Sequence, residues 1–346
     1  MSEKTITQAE PRFYKFDNLK FILILTVVVG HFCDEYTKGS GTMKSIFIFI
    51  YTFHMPLFLF VSGLFRKRQR EGEGLRIDKI TTYILIGFGL KLLIFFIKLV
   101  FHKNPSFKFL SDKGIPWFMF VLVEYEILIF LTQKIKGCIV VGIAIVLGCI
   151  SGYANWIGDF LYVSRFLVYA PFFLLGYYLN PVAVKNFLQK RSVQIISIFC
   201  FLGLLYLCFC KRELIYPYRY LFTGRHPFSI VKIENCSALH RMIAYLITTV
   251  SCISVASIVP DVRLPLVTKF GSRTLQVYFW HRPILFVIMY SKIMDPVFYY
   301  LPDALCKLLF LMMGVVLTFI LSLKVFALPL NCSFYRRFLG KLKEKR

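Results

Sequence analysis

Acidic residues are scarce in this 346-residue chain, with 18 Asp and Glu against 42 Lys and Arg and a formal net charge of +24. Charged residues of either sign make up only 17%, and no polar stretch is long enough to build a soluble domain. Paired Cys-x-x-Cys spacing is missing as well. The ten cysteines are scattered, most of them inside apolar runs, and Cys208 and Cys210 are the closest pair. That pattern argues against a disulfide framework and against a thiolate metal site, so no metal is expected. No internal repeat is visible. The first eighteen residues are polar and of mixed charge, and the apolar stretch after them lacks a small-residue cleavage site. It reads as a retained first helix rather than a removed leader.

What the chain has in abundance is apolar surface. It is 58% hydrophobic, with 38 Phe, and its mean hydropathy is +0.66. A soluble domain is nearer half apolar, so the expected class is all-α, a polytopic transmembrane helical bundle in the cell (cytoplasmic) membrane. A span needs about 20 apolar residues. About ten can be read: 17–36, 45–65, 80–101, 115–133, 138–154, 160–179, 193–210, 241–259, 274–291 and 304–328. The division is a cytoplasmic segment 1–16, a membrane domain 17–328 and a basic tail 329–346. The Lys and Arg fall mainly between the apolar runs, which suits helix orientation and anionic headgroups rather than nucleic acid. With the N-terminus cytoplasmic, one side collects about 23 of them and the other about 12, so both termini are expected to be cytoplasmic. The loop 211–240 works against that count. It lies on the other side yet is basic and Tyr-rich, with "YPYRY" and "GRHP". Either it binds something or the topology changes around it.

Ionisable residues inside apolar spans are expensive and usually line a cavity or form a pair. "FDNLKFILILTVVVGHF" (16–32) carries Asp17, Lys20 and His31. At 100° per residue, Asp17 and His31 are about 40° apart and Lys20 and His31 about 20°, so the three share one stripe. Asp34 and Glu35, three and four residues past His31, can share its face. A carboxylate there would orient the imidazole and raise its basicity. The plainer account has Asp17 capping the helix and Lys20 snorkelling. In "YTFHMPLFLFVSGLF" (51–65), Pro56 removes a backbone donor and frees the carbonyl of Thr52, and His54 sits beside that break. Two histidines in one helical hairpin suggest proton chemistry, although a hydrogen-bonded structural histidine also fits His54. Lys91 and Glu124 fall at similar depth in consecutive spans and are expected to pair, with Glu126 as the other candidate partner. "VYFWHRPIL" (277–285) puts His281 and Arg282 near mid-membrane, where Arg282 binds an anionic group or pairs with one of the acids.

Taken together, these motifs resemble the acyltransferase-3 superfamily of integral membrane O-acyltransferases, and most of all its fucose 4-O-acetylase-like branch. "FDNLKFILILTVVVGH" resembles that branch's first helix and "FHMPLFLFVSG" its second. "PWFMFVLVEYEI", "APFFLLGYYL" and "VYFWHRPI" are similar to three later helices. The order and spacing match over about 12–285. The resemblance implies transfer of an acyl group, usually acetyl, from acyl-CoA to a sugar hydroxyl of an envelope polysaccharide or its lipid-linked precursor. The family's first-helix histidine corresponds to His31, and its inner-loop arginines, which meet the CoA phosphates, correspond to Arg66, Arg68 and Arg70. The chain departs from the broader pattern in two places. Trp117 is followed five residues later by Leu122, the nearest acid being Glu124, and Lys20 replaces an arginine.

The expected roles follow. His31 is the base, with Asp34 or Glu35 orienting it and His54 bonding the oxyanion or the acceptor. Asp17, Lys20 and the three arginines hold the donor, acetyl-CoA. Trp117, Glu124, His281 and Arg282 meet the acceptor, and no metal takes part. Direct transfer and a covalent acyl-histidine both fit. The reading from another class is a transporter or flippase of a glycan or lipid-linked saccharide, which also uses buried charge and a broken helix. The expected partners are acyl-CoA, the glycan or lipid-linked sugar and the lipid bilayer, with no nucleic acid.

Overall fold

The computed structural model describes residues 13–111 and 114–327, so most of the 1–16 segment and the whole 329–346 tail lie outside the described residues. The described chain is helical throughout, with α1 (Tyr14–Glu35), α2 (Gly41–Tyr51), α3 (His54–Leu64), α4 (Ile77–Val100), α5 (Trp117–Thr132), α6 (Gly137–Ile150), α7 (Val163–Tyr178) and α8 (Pro181–Leu188). There follow α9 (Arg191–Cys210), α10 (Arg212–Ile215), α11 (Arg219–Phe222), α12 (Ala238–Ile258), α13 (Pro265–Gly271), α14 (Thr274–Ser291), α15 (Asp295–Tyr299) and α16 (Asp303–Leu321). Among the described residues there is no strand, only an isolated bridge between Ser111 and Phe160.

Each of the ten expected apolar segments contains a helix or a helix pair. Six of these, counting α2–α3 as one, are long and apolar enough to cross a bilayer. The α7–α8 pair, bent by 101°, meets the same length and hydropathy criteria only when its two helices are taken together. The protein is a multi-pass membrane protein. The break anticipated at Pro56 separates α2 from α3, with Thr52 and Phe53 between them. Helix starts follow local chemistry. Ser40 caps α2 by accepting from the Met43 N–H at 3.4 Å. Asn180 caps α8, with Pro181 at its first position.

Helix α1 is central. In its most apolar window 67% of residues are buried, against 17% in α9 and 22% in α4, which face the bilayer. Its first turn is lashed to the segment joining α12 and α13. Lys15 Nζ donates to the carbonyls of Ser257 (3.1 Å) and Val259 (2.6 Å). Asn18 Nδ2 donates to Pro260 O (3.0 Å) and Val262 O (2.9 Å), and Asn18 Oδ1 accepts from Thr268 Oγ1 at 2.6 Å. Asp17 does not cap α1, whose N-cap is Phe13; it pairs with Lys20 at 3.0 Å. A second fixed contact joins α3 and α7 backbone to backbone. A Cβ on Gly176 would overlap the Phe60 carbonyl, and one on Gly63 the Phe173 carbonyl. Only glycine permits so close an approach, the usual means by which membrane helices gain packing when lipid removes the hydrophobic drive.

The basic loop after α9 is folded down onto α7 and α12. Tyr169 Oη donates to Phe222 O (2.7 Å) and Ser164 Oγ to Gly224 O (2.9 Å). The buried Arg241 donates to Leu221 O (2.5 Å). Gly224 supplies the turn with φ of +62°.

Candidate active site

Four cavities follow one another through the bundle. The first, 240 Å³, lies where α3 ends and α4 begins, and its wall includes Arg66, Lys67, Arg76, Lys79 and Tyr83. It shares Tyr83 and Leu122 with a narrow second cavity of 120 Å³, lined by Ile24, Val27, His31, Phe118 and other largely apolar side chains. Through His31, Met55, Ile115 and Trp117 this waist meets a polar chamber of 280 Å³. Gly114, Ile115 and Arg282 join the chamber to a vestibule of 780 Å³ beside the far ends of α4 and α14. His31 therefore stands where the apolar waist opens into the chamber.

Around His31 the groups come from distant parts of the chain. The His281 ring stacks on it with centroids 5.4 Å apart. His281 is fully buried, donates from Nδ1 to Val277 O at 2.9 Å and leaves its Nε2 without a hydrogen bond among the described residues. His54, the first residue of α3, lines the chamber and donates from Nδ1 to Ile50 O at 2.9 Å. A carbonyl accepts only, so in neutral His54 the remaining Nε2 carries a lone pair. It can accept from an acceptor hydroxyl but cannot donate to an oxyanion. Of the two expected carboxylates, neither bonds the His31 ring. Asp34 lines the chamber, while Glu35 Oε1 lies 3.0 Å from Arg282 Nη1. This answers the alternative left open for Arg282: it pairs with an acid, and it still lines both chamber and vestibule.

The other expected residues divide. Trp117 walls both waist and chamber and takes the Arg165 guanidinium over its ring at 4.9 Å. Lys20 reaches the mouth only indirectly, its ammonium 5.2 Å from the Phe65 ring. The wall of α1 between Lys20 and His31 is made by Ile24 and Val27, and Asp17 lies off it. Arg66 lines the mouth but is held by Glu126, with Nε–Oε1 at 2.9 Å and Nη2–Oε2 at 2.6 Å. Arg68 donates to Tyr178 O (2.6 Å), and Arg70 is exposed; neither belongs to the cavity wall. The expected Lys91–Glu124 pair is not formed. Lys91 Nζ donates to the carbonyls of Lys108 (2.8 Å) and Phe109 (2.9 Å), and Glu124 Oε2 is buried with no hydrogen bond among the described residues.

Several wall residues were not singled out from the sequence. Lys67, Arg76 and Lys79 surround the mouth, where the motif pointed to Arg68 and Arg70. Tyr51, Arg165 and Tyr169 line the chamber, as do Arg219, Tyr220, Arg225 and His226 from the loop after α9. The basic, Tyr-rich composition of that loop was the available signal. Among the described residues no group of His, Cys, Asp and Glu is arranged to hold a metal.

A helical membrane protein in which a half-buried imidazole stands between a basic-mouthed apolar passage and a polar chamber has the layout of a two-substrate transferase. The family comparison agrees: the acyltransferase-3 model, described as an acyltransferase domain, matches residues 13–327, and the chain belongs to that family. Neither the curated proteins nor the solved structures yield a match. The protein is thus a membrane acyltransferase.

Proposed function

We propose that the protein moves an acetyl group from acetyl-CoA to a sugar hydroxyl of an envelope polysaccharide or its lipid-linked precursor, in the cytoplasmic membrane, with His31 as general base. The observation that carries this reading is the position of His31 at the junction of waist and chamber. A thioester arriving along one and a hydroxyl arriving along the other meet at the imidazole.

Lys67, Arg76 and Lys79 at the mouth suit the phosphates of CoA, since cationic donors to phosphate make the strong class of hydrogen bond. Arg66, already paired with Glu126, fixes the wall there. The pantetheine arm follows the apolar face Ile24–Val27–His31. Between Lys20 and His31 that face is about 16 Å long at 1.5 Å per residue. The His31 nitrogen takes the hydroxyl proton as the sugar oxygen attacks the thioester carbonyl. The tetrahedral intermediate collapses by breaking the C–S bond, and the imidazolium returns the proton to the CoA thiolate. Positive charge for the oxyanion comes from Arg282, which borders the chamber, rather than from neutral His54. His54 Nε2 receives a hydrogen bond from the acceptor and helps to aim its hydroxyl.

The test is His31→Ala in membranes supplied with labelled acetyl-CoA. Glycan acetylation is expected to fall by at least about a hundredfold, the usual worth of a general base, while the protein still inserts. Wild-type rates in that variant would remove His31 from the reaction. The resemblance to the fucose 4-O-acetylase-like branch favours a hexose-type acceptor and acetyl as the donor group.

A further inference from the structure

The chamber and the vestibule are far more basic than a neutral sugar needs. Arg165, Arg219, Arg225 and Arg282 line the first, and Lys98, Lys103 and Lys108 are among the residues lining the second. Asp34 is the one carboxylate in either wall among the described residues. Two more acids stand behind the arginines. Asp159 accepts from Arg225 Nε at 2.8 Å, with Arg165 Nη1 at 3.8 Å, and Glu35 faces Arg282 at 3.0 Å.

Arg219 and two of the vestibule lysines rest on neutral groups. Arg219 donates to Tyr216 O (3.1 Å) and Tyr220 Oη (2.7 Å), with its guanidinium 4.2 and 4.1 Å from the centroids of the two tyrosine rings. Lys98 lies over the Phe286 ring at 5.1 Å, and Lys103 over Tyr290 at 5.2 Å. Arg165 is only 6% exposed, and its Nη1 makes no hydrogen bond among the described residues. Its nearest acid, Asp159 at 3.8 Å, is already bonded by Arg225, so this buried guanidinium keeps a donor that a further anion can use. Its planar fork matches a carboxylate or a phosphate, and its ring platforms hold it ready for one.

We propose that the acceptor is an acidic glycan, with a carboxylate or phosphodiester on the acylated sugar or on its immediate neighbour. This rests on the acyl-transfer reading of the same site and names its substrate class. The chamber, at 280 Å³, lies just under the range of roughly 300–1,000 Å³ typical of small-molecule pockets. It takes little more than the reacting sugar, so the anion met by Arg165 and Arg219 belongs to that sugar or the next. Lys98, Lys103 and Lys108 then follow the chain of neighbouring sugars out through the vestibule. Lipid headgroups alone would not account for Arg165 and Arg219, which open onto the cavity holding His31.

The test feeds labelled acetyl-CoA to membranes with and without the protein, releases glycans from their lipid carrier with mild acid, and separates them on an anion exchanger. Most of the protein-dependent label is expected in the retained fraction. Carbodiimide and borohydride treatment that moves it to the flow-through identifies a carboxylate, and mild hydrofluoric acid that does so identifies a phosphodiester. Label in the neutral flow-through overturns the proposal. So does a protein that releases CoA from acetyl-CoA yet labels no acidic glycan. Failure to release CoA at all would instead sink the acyl-transfer reading beneath it. Lys98→Gln combined with Lys103→Gln should slow labelling on the order of tenfold and flatten its dependence on salt, because the lost attraction is the screened one. A rate and salt dependence equal to wild type also overturns the proposal.

Discussion

Single residues decide how the polar groups of this bundle are used, and their partners were the least legible part of the sequence. Lys91 and Glu124 are expected at one depth, but Gly87, one turn before Lys91, packs on Met119 and Phe120, which sets Glu124 toward the start of α4. Lys91 is solvated by the carbonyls of Lys108 and Phe109 from the segment after α4. Arg66 takes Glu126 from sixty residues away. Helices that are apolar nearly all round give no periodic mark of which face meets which neighbour, so rotation about the helix axis stays hidden. Asp261 shows a residue whose partner has a measurable consequence. Partial burial alone raises its carboxyl, but bonds from Lys185 Nζ (2.6 Å), the Lys15 backbone N–H (2.9 Å) and Gln189 (3.1 Å) outweigh that and hold it below its ordinary value. A carboxylate lowered in the folded state contributes stability above its unfolded pKa and loses it as pH falls through the folded one. Thermal unfolding in detergent should therefore show a drop in stability below about pH 4, and Asp261→Asn should be less stable at neutral pH with a smaller drop.

At the level of elements, the sequence reading did better where proline, glycine or charge marked the chain. The break beside Pro56 separates α2 from α3, and His54 starts the second half, where it borders the chamber. The loop 211–240, a puzzle for topology, is folded over the chamber and carries Arg219 and Arg225 into its wall. Its positive charge is thereby accounted for by neighbours rather than by orientation. The α3–α7 contact was not legible, because Gly63 and Gly176 are single small residues with no local turn to explain them. It makes a sharp prediction. Gly176→Val places a side chain on the Phe60 carbonyl. An overpacked core costs about 1–3 kcal/mol and more when backbone blocks relaxation. Gly176→Val should lower the melting temperature in detergent and the yield of folded protein, whereas Gly142→Val, with open space around it, should change neither.

The whole molecule sets the mouth and the vestibule at opposite ends of the helices that enclose them, because one lies at the α3–α4 turn and the other beyond the ends of α4 and α14. From the charge count of the sequence we propose that the mouth faces the cytoplasm and the vestibule faces outward. Cysteine labelling checks it. With all ten native cysteines replaced by serine or alanine, a cysteine at position 72 should react with an impermeant maleimide only after the membrane is opened. One at position 106 should react in intact cells. The reverse pattern would invert the protein.

On the proposed donor route, the 120 Å³ passage beside His31 would act as a ruler. A two-carbon group can be carried through it on the end of the donor arm, but each further methylene must be wedged between Val27, Trp117 and Tyr278. Discrimination by one methylene is worth roughly 10–200-fold in a fitted apolar slot. Turnover should accordingly decline stepwise from acetyl- to propionyl- to butyryl-CoA in a thiol-release assay, and enlarging the slot with Val27→Ala should restore part of the activity toward the longer donors.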